Sequence, residues 1–66
     1  MTKSDAITAM INGAKIRHYY FRAGEWVVMI DEDTVQFEDG VKQLYLEFWA
    51  LRTSEAWETD WEIVKK

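Results

Sequence analysis

The sequence contains no cysteine, which removes disulfide staples and thiolate metal ligation from the ways it could be held together. A long apolar run is missing too. Lys3 and Asp5 lead into an alternating stretch rather than the continuous apolar core of a secretory signal. No segment approaches the ~20 apolar residues of a membrane span. Together these absences lead to the expectation of a cytoplasmic protein with no membrane partner. Glycine is sparse, and Gly13, Gly24 and Gly40 lie far apart, so the chain has neither a G-x-G-x-x-G turn nor a P-loop. His18 is the single histidine, and neither Ser4 nor Ser54 sits in a G-x-S-x-G elbow. A lone histidine between aromatics is more often packed than catalytic, so no catalytic residue, and no enzyme, is expected.

Positive charge is scarce beyond the first third. Residues 1–24 carry a balance of +3, residues 25–62 a balance of −9, and the whole chain −4. A net acidic chain without a basic stripe is poorly suited to duplex nucleic acid. The acidic run "DEDTVQFEDG" invites a calcium reading, but an EF-hand loop begun at Asp31 has Gln36 at its sixth position and Lys42 at its twelfth. A glycine and a glutamate are required there. The run therefore reads as two solvated acidic turns around a strand, with no metal and no cofactor.

Apolar and aromatic side chains fill much of the rest. With 66 residues, 48% hydrophobic and 15% aromatic, the chain is a single domain (1–66) too apolar to be disordered. A chain this short buries only roughly 60% of its unfolded surface, so an aromatic-rich core and assembly into a homo-oligomer are the two compensations open to it. "KSDAITAMING" reads as a helix capped by Ser4 or Thr2, stopped at Asn12-Gly13, with Ala6, Ile7, Met10 and Ile11 in one stripe. "AKIRHYYF" alternates as a strand, placing Ile16, His18 and Tyr20 on one face and Lys15, Arg17, Tyr19 and Phe21 on the other. "EWVVMI" is a second strand and "TVQF" a third, separated by turns at "RAGE", "DED" and "EDGV". Residues 41–46 fit a strand or a helix equally. A short helix is expected over 46–51, then a loop "TSEAWET" and a final strand "DWEIVK". The fold class is α+β: an antiparallel sheet of about four strands, an N-terminal helix, and a short second helix before the last strand.

Ten aromatics are more than a small core readily encloses. Trp26, Phe37, Phe48 and Trp61 suit the core, and Trp49 suits a half-covered position. Trp57 lies among Ser54, Glu55, Glu58 and Thr59, poor core company, and one of Tyr19 and Tyr20 should face outward. Exposed aromatics beside arginines suit a flat heterocycle or a protein interface, which makes Tyr20, Trp57 and Arg52 candidate ligand contacts.

Two motifs then stand out together. "AITAMINGAKIRH", through Ala6, Met10, Gly13, Lys15, Ile16 and a base at Arg17 or His18, resembles an opening "eAl.am..Gkkv.R" pattern. "TDWEIV", through Asp60, Trp61, Glu62, Ile63 and Val64, resembles the closing "DWeiv" of the same family. That family comprises small phage and prophage proteins and includes the signal-sequestering Thoeris anti-defence proteins; a type II anti-CRISPR is similar to it. The resemblance implies an α+β homo-oligomer that holds a cyclic nucleotide signal, such as a cyclic ADP-ribose derivative, in a pocket between subunits without cleaving it. It would act in the cytoplasm of an infected bacterial host. It also implies ligand roles for Asp60 and Trp61 by motif match, for Phe21 as a substituted equivalent, and for Arg17 and His18 as equivalents of the base. The chain departs from the pattern at Tyr20-Phe21, where the family places Gly-Trp, and lacks the family's long insertion between the middle strands. Two alternatives stay open: an acidic inhibitor that binds a host defence protein directly, and an accessory phage protein without a defence role.

Overall fold

In the computed structural model, which describes residues 1–64, the chain runs α1 (Lys3–Ile11), β1 (Ile16–His18), β2 (Val27–Asp31), β3 (Thr34–Phe37), β4 (Lys42–Leu44), α2 (Tyr45–Ala50), a 3-10 turn (Glu55–Trp57) and β5 (Trp61–Ile63). The fold is α+β, with all five strands in one antiparallel sheet of order β4-β3-β2-β1-β5. The strand beyond the four read from sequence is β4, which settles the ambiguous stretch in favour of strand for Lys42–Leu44 and helix from Tyr45.

Thr2, not Ser4, caps α1. Its hydroxyl accepts from the Asp5 N–H at 3.1 Å, and the Asp5 carboxylate accepts from the Thr2 N–H at 3.4 Å, a reciprocal capping box. Gly13, at φ +92°, supplies the left-handed stop. Thr2→Ala is expected to cost about 1 kcal/mol and to lower the melting midpoint by roughly 4–8 °C. A thermal melt followed by circular dichroism checks this, and an unchanged midpoint would mean the cap is idle.

Helix α1 packs against β1, β2 and β5, and α2 against β3 and β4. Ala6 and Met10 of α1 meet Ile16, Val27, Val35 and Trp61 from the sheet and Phe48 and Trp49 from α2. Ile11 falls outside this stripe and is 65% exposed. It is the last residue of a nine-residue helix, outside the buried Ala6–Met10 stripe.

Among the described residues, no helix covers the opposite sheet face. Arg17 pairs there with Glu62 across the β1–β5 register. The Lys15 ammonium lies 4.3 Å from the Trp26 ring centroid, so Trp26 is half-buried under a cation and not in the core the sequence suggests. The tight turn at Asp31–Thr34 is held by the Asp33 N–H donating to the Asp31 carboxylate at 3.0 Å, which holds that carboxyl below its usual range. Residue 65, expected at the end of the last strand, lies outside the described residues.

Candidate functional site

Alternation predicts that Tyr20 shares the His18 face and Phe21 the other. The strand instead ends at His18. The Phe21 N–H donates to the His18 carbonyl at 2.9 Å, closing a turn that swings the Phe21 ring back into the core and leaves Tyr20 62% exposed. The Tyr20 N–H donates to His18 Nδ1 at 3.0 Å, while His18 Nε2 lies 2.8 Å from the Thr59 carbonyl oxygen. The tautomer with its proton on Nε2 satisfies both contacts at once. His18 is fully enclosed, so it fixes the turn and touches nothing in solvent. Its sequence-expected role as a ligand-contacting base is thereby corrected.

The other side of the corner comes from the chain after α2. Asp60 adopts φ +74°, a left-handed conformation that aspartate tolerates better than most residues. That bend turns Trp61 inward, where it is 2% exposed and donates its indole N–H to the Trp57 carbonyl at 2.8 Å. Trp57 is half-buried, not free as its acidic neighbours suggest. Its ring lies 4.3 Å from His18, 5.7 Å edge-on from Tyr20 and 5.9 Å from Trp61, centroid to centroid.

Arg52 completes the corner. Its side chain folds back over the end of α2, donating from Nη1 to the Phe48 carbonyl at 2.9 Å, a cationic cap on the helix C-terminus. The guanidinium carbon is 4.0 Å from the Phe48 ring centroid, 5.1 Å from Trp57 and 5.8 Å from Phe21. Burial pulls its pKa below the usual arginine value, against the opposing pull of Glu25. Its Nε is enclosed without an acceptor.

The structure thus divides the eight expected ligand residues. His18, Tyr20, Phe21, Arg52, Trp57 and Trp61 form one cluster of rings around a guanidinium, with Tyr20 the most exposed of the six. Arg17 and Asp60 belong elsewhere, lining with Met1, Tyr19, Trp61 and Glu62 an open depression of about 310 Å³. There the Arg17–Glu62 pair already neutralises the arginine. Trp49, expected to be half-covered, is 7% exposed, because the end of α2 turns it onto Trp61, 5.1 Å between ring centroids.

The chain matches no protein-family model, no curated protein and no solved structure. Its site must be read from its own chemistry. Flat rings, a desolvated cation and an exposed tyrosine pair can stack on and hydrogen-bond to a ligand. Among the described residues no three acidic or histidine side chains converge to hold a metal ion, and no helix is long and apolar enough to cross a membrane.

Sequence reasoning missed three contributors. The Met1 ammonium donates to the Trp61 carbonyl at 3.0 Å, tying the chain start to β5. Lys3 and Trp49 both stand beside Arg52. The Met1 and Lys3 contacts span 60 and 49 residues, and nothing in local spacing signals them.

Proposed function

We propose that this chain is a non-enzymatic, phage-encoded binding protein that sequesters a cyclic nucleotide signal of bacterial immunity, in the cytoplasm of the infected host. The observation that carries the reading is the tyrosine surface. Tyr19 and Tyr20 are 74% and 62% exposed with ring centroids 5.8 Å apart, and Tyr20 is pinned from beneath by His18 and Trp57. Exposed rings on an immobile base are a stacking platform for a nucleobase, worth about 1–3 kcal/mol per stacked base. The end motifs point to the same ligand class. One protomer offers a surface here and not an enclosed pocket, so a second copy would supply the other wall. Leu44, Leu46 and Leu51 are among the exposed apolar side chains available for such an assembly.

The test mixes purified protein with cyclic dinucleotides and cyclic ADP-ribose isomers, filters it, and measures the free nucleotide before and after heating. One nucleotide is expected to vanish from the filtrate and return intact on heating, and Tyr20→Ala should weaken its retention at least tenfold. Failure to deplete any nucleotide, or release of a cleaved product, would sink the reading. A strictly monomeric protein by light scattering, with and without ligand, would remove the shared pocket.

A second reading rests on a separate surface. Ile11, Met29 and Ile30 line an open depression of about 500 Å³ bordered by Asp31 and Glu32, a combination suited to a basic, apolar segment of a host defence protein. Glu32→Lys, a reversal at the rim of that depression, would sharply weaken a pull-down from host lysate if that reading holds, and leave nucleotide retention intact if the first does.

A further inference from the structure

Lys3, Trp49 and Arg52 meet where the start of α1 passes the end of α2. The Lys3 ammonium donates to the Arg52 carbonyl at 3.2 Å and lies 5.5 Å from the Trp49 ring centroid, while the Arg52 N–H donates to the Trp49 carbonyl at 3.0 Å. All three side chains are donors only. The Trp49 indole N–H, on a residue that is 7% exposed, has no acceptor, and neither does the enclosed Arg52 Nε. Buried N–H groups nearly always find partners, because leaving one unpaired costs about 1–3 kcal/mol. No carboxylate among the described residues lies within ion-pairing distance of Lys3 or Arg52. Glu25, the acid that Arg52 senses, is already engaged, its Oε1 accepting from the Arg22 N–H at 2.9 Å.

Lys3 meets Arg52 at its backbone carbonyl, and two cationic residues in contact, with two orphaned N–H groups among Trp49 and Arg52, call for an acceptor-rich anion in an otherwise acidic chain. We infer that the Lys3–Trp49–Arg52 corner binds a phosphate group, which in the reading proposed above belongs to the sequestered nucleotide; the assignment of the phosphate's owner rests on that reading. Nη2 of Arg52 is neither enclosed nor hydrogen-bonded, so it and the Lys3 ammonium are the first donors a phosphate oxygen meets. Stacking on Phe48 and Trp57 fixes the guanidinium plane in advance, which reduces the ordering cost of binding. Arginine is favoured over lysine at such a position because its planar fork can hold two phosphate oxygens.

The test is a nitrogen–proton correlation spectrum of the unmodified protein, reading the Trp49 indole and Arg52 Nε resonances during titration with inorganic phosphate and, separately, with cyclic ADP-ribose and its isomers. Both resonances are expected to move saturably with phosphate and with the retained nucleotide. Arg52→Gln is expected to weaken nucleotide retention at least tenfold, Lys3→Gln severalfold, and Arg52→Lys to fall between parent and Arg52→Gln. Nucleotide retention with both resonances unmoved overturns the inference and leaves sequestration standing. A response to phosphate with no nucleotide retained supports the anion corner and overturns sequestration. Silence towards every probe overturns both. The unmodified-protein spectra decide the matter even if Arg52→Gln fails to fold.

Discussion

Trp61→Ala is expected to unfold the protein at 25 °C, the largest single-residue effect in the chain. The indole is 2% exposed and packs against Trp49 at 5.1 Å, His18 at 4.8 Å and Phe21 at 5.8 Å between ring centroids. Truncating a buried tryptophan to alanine costs about 3–5 kcal/mol, and each aromatic pair adds roughly 0.5–1.5 kcal/mol beyond its buried area. A domain of this size is stable by only roughly 3–10 kcal/mol. The substitution also strips the Trp57 carbonyl of its indole donor, loosening the turn that holds Trp57 over His18. Near-complete loss of amide dispersion in a nitrogen–proton spectrum is the expected readout. Trp57→Ala is the control: its ring is half-buried and its carbonyl is retained, so a cooperative melt should survive. A Trp61→Ala protein melting within a few degrees of the parent would show that the ring cluster is not what holds the fold.

Local chemistry made α1 legible: a cap, a helical stripe and a left-handed glycine all lie within Thr2–Gly13. Strands β2 and β3 were legible for similar reasons, since "EWVVMI" is β-branched and aromatic, "TVQF" alternates and an acidic turn separates them; their pairing is what the structure adds. Strand β4 was not, because three residues hold too little of either period to tell a strand from a helix. It becomes a strand only through its pairing with β3. The early end of β1 was hidden for a different reason. It depends on Thr59 and Asp60, which bond to His18 and Tyr19 from 41 residues away.

The candidate site divides along the same line. Composition around Trp57 suggests an exposed ring, because its sequence neighbours are acids and hydroxyls. Its spatial neighbours, His18 and Arg52, come from distant segments and cover it. The tyrosines reverse the lesson: one of an adjacent pair must face outward on a strand, but here both do, because the strand has already ended. Among the features that suit a flat ligand, aromatic identity is visible in sequence, whereas the donor-only corner at Lys3, Trp49 and Arg52 exists only once α1 and α2 are brought together.

His18→Leu, which keeps the bulk of the side chain but removes both ring nitrogens, is expected to destabilise the protein by about 2–6 kcal/mol. The imidazole answers two backbone groups at once, the Thr59 carbonyl at 2.8 Å and the Tyr20 N–H at 3.0 Å. Leucine leaves both without a partner, at about 1–3 kcal/mol for each group that stays buried. Thr2→Ala, which removes one exposed cap, should cost less than half as much. The consequence for function follows from geometry: the Tyr20 N–H is the atom that anchors the exposed tyrosine turn to the core. In His18→Leu, amide hydrogen exchange at Tyr20 should accelerate beyond what the global loss of stability accounts for. Nucleotide retention should fall further than the folded fraction does. Urea denaturation, exchange and the filtration assay read these three quantities separately. A loss of under 1 kcal/mol by that denaturation, together with unchanged exchange at Tyr20, would mean that His18 is only filling space, and that the tyrosine surface draws its rigidity from Trp57 alone.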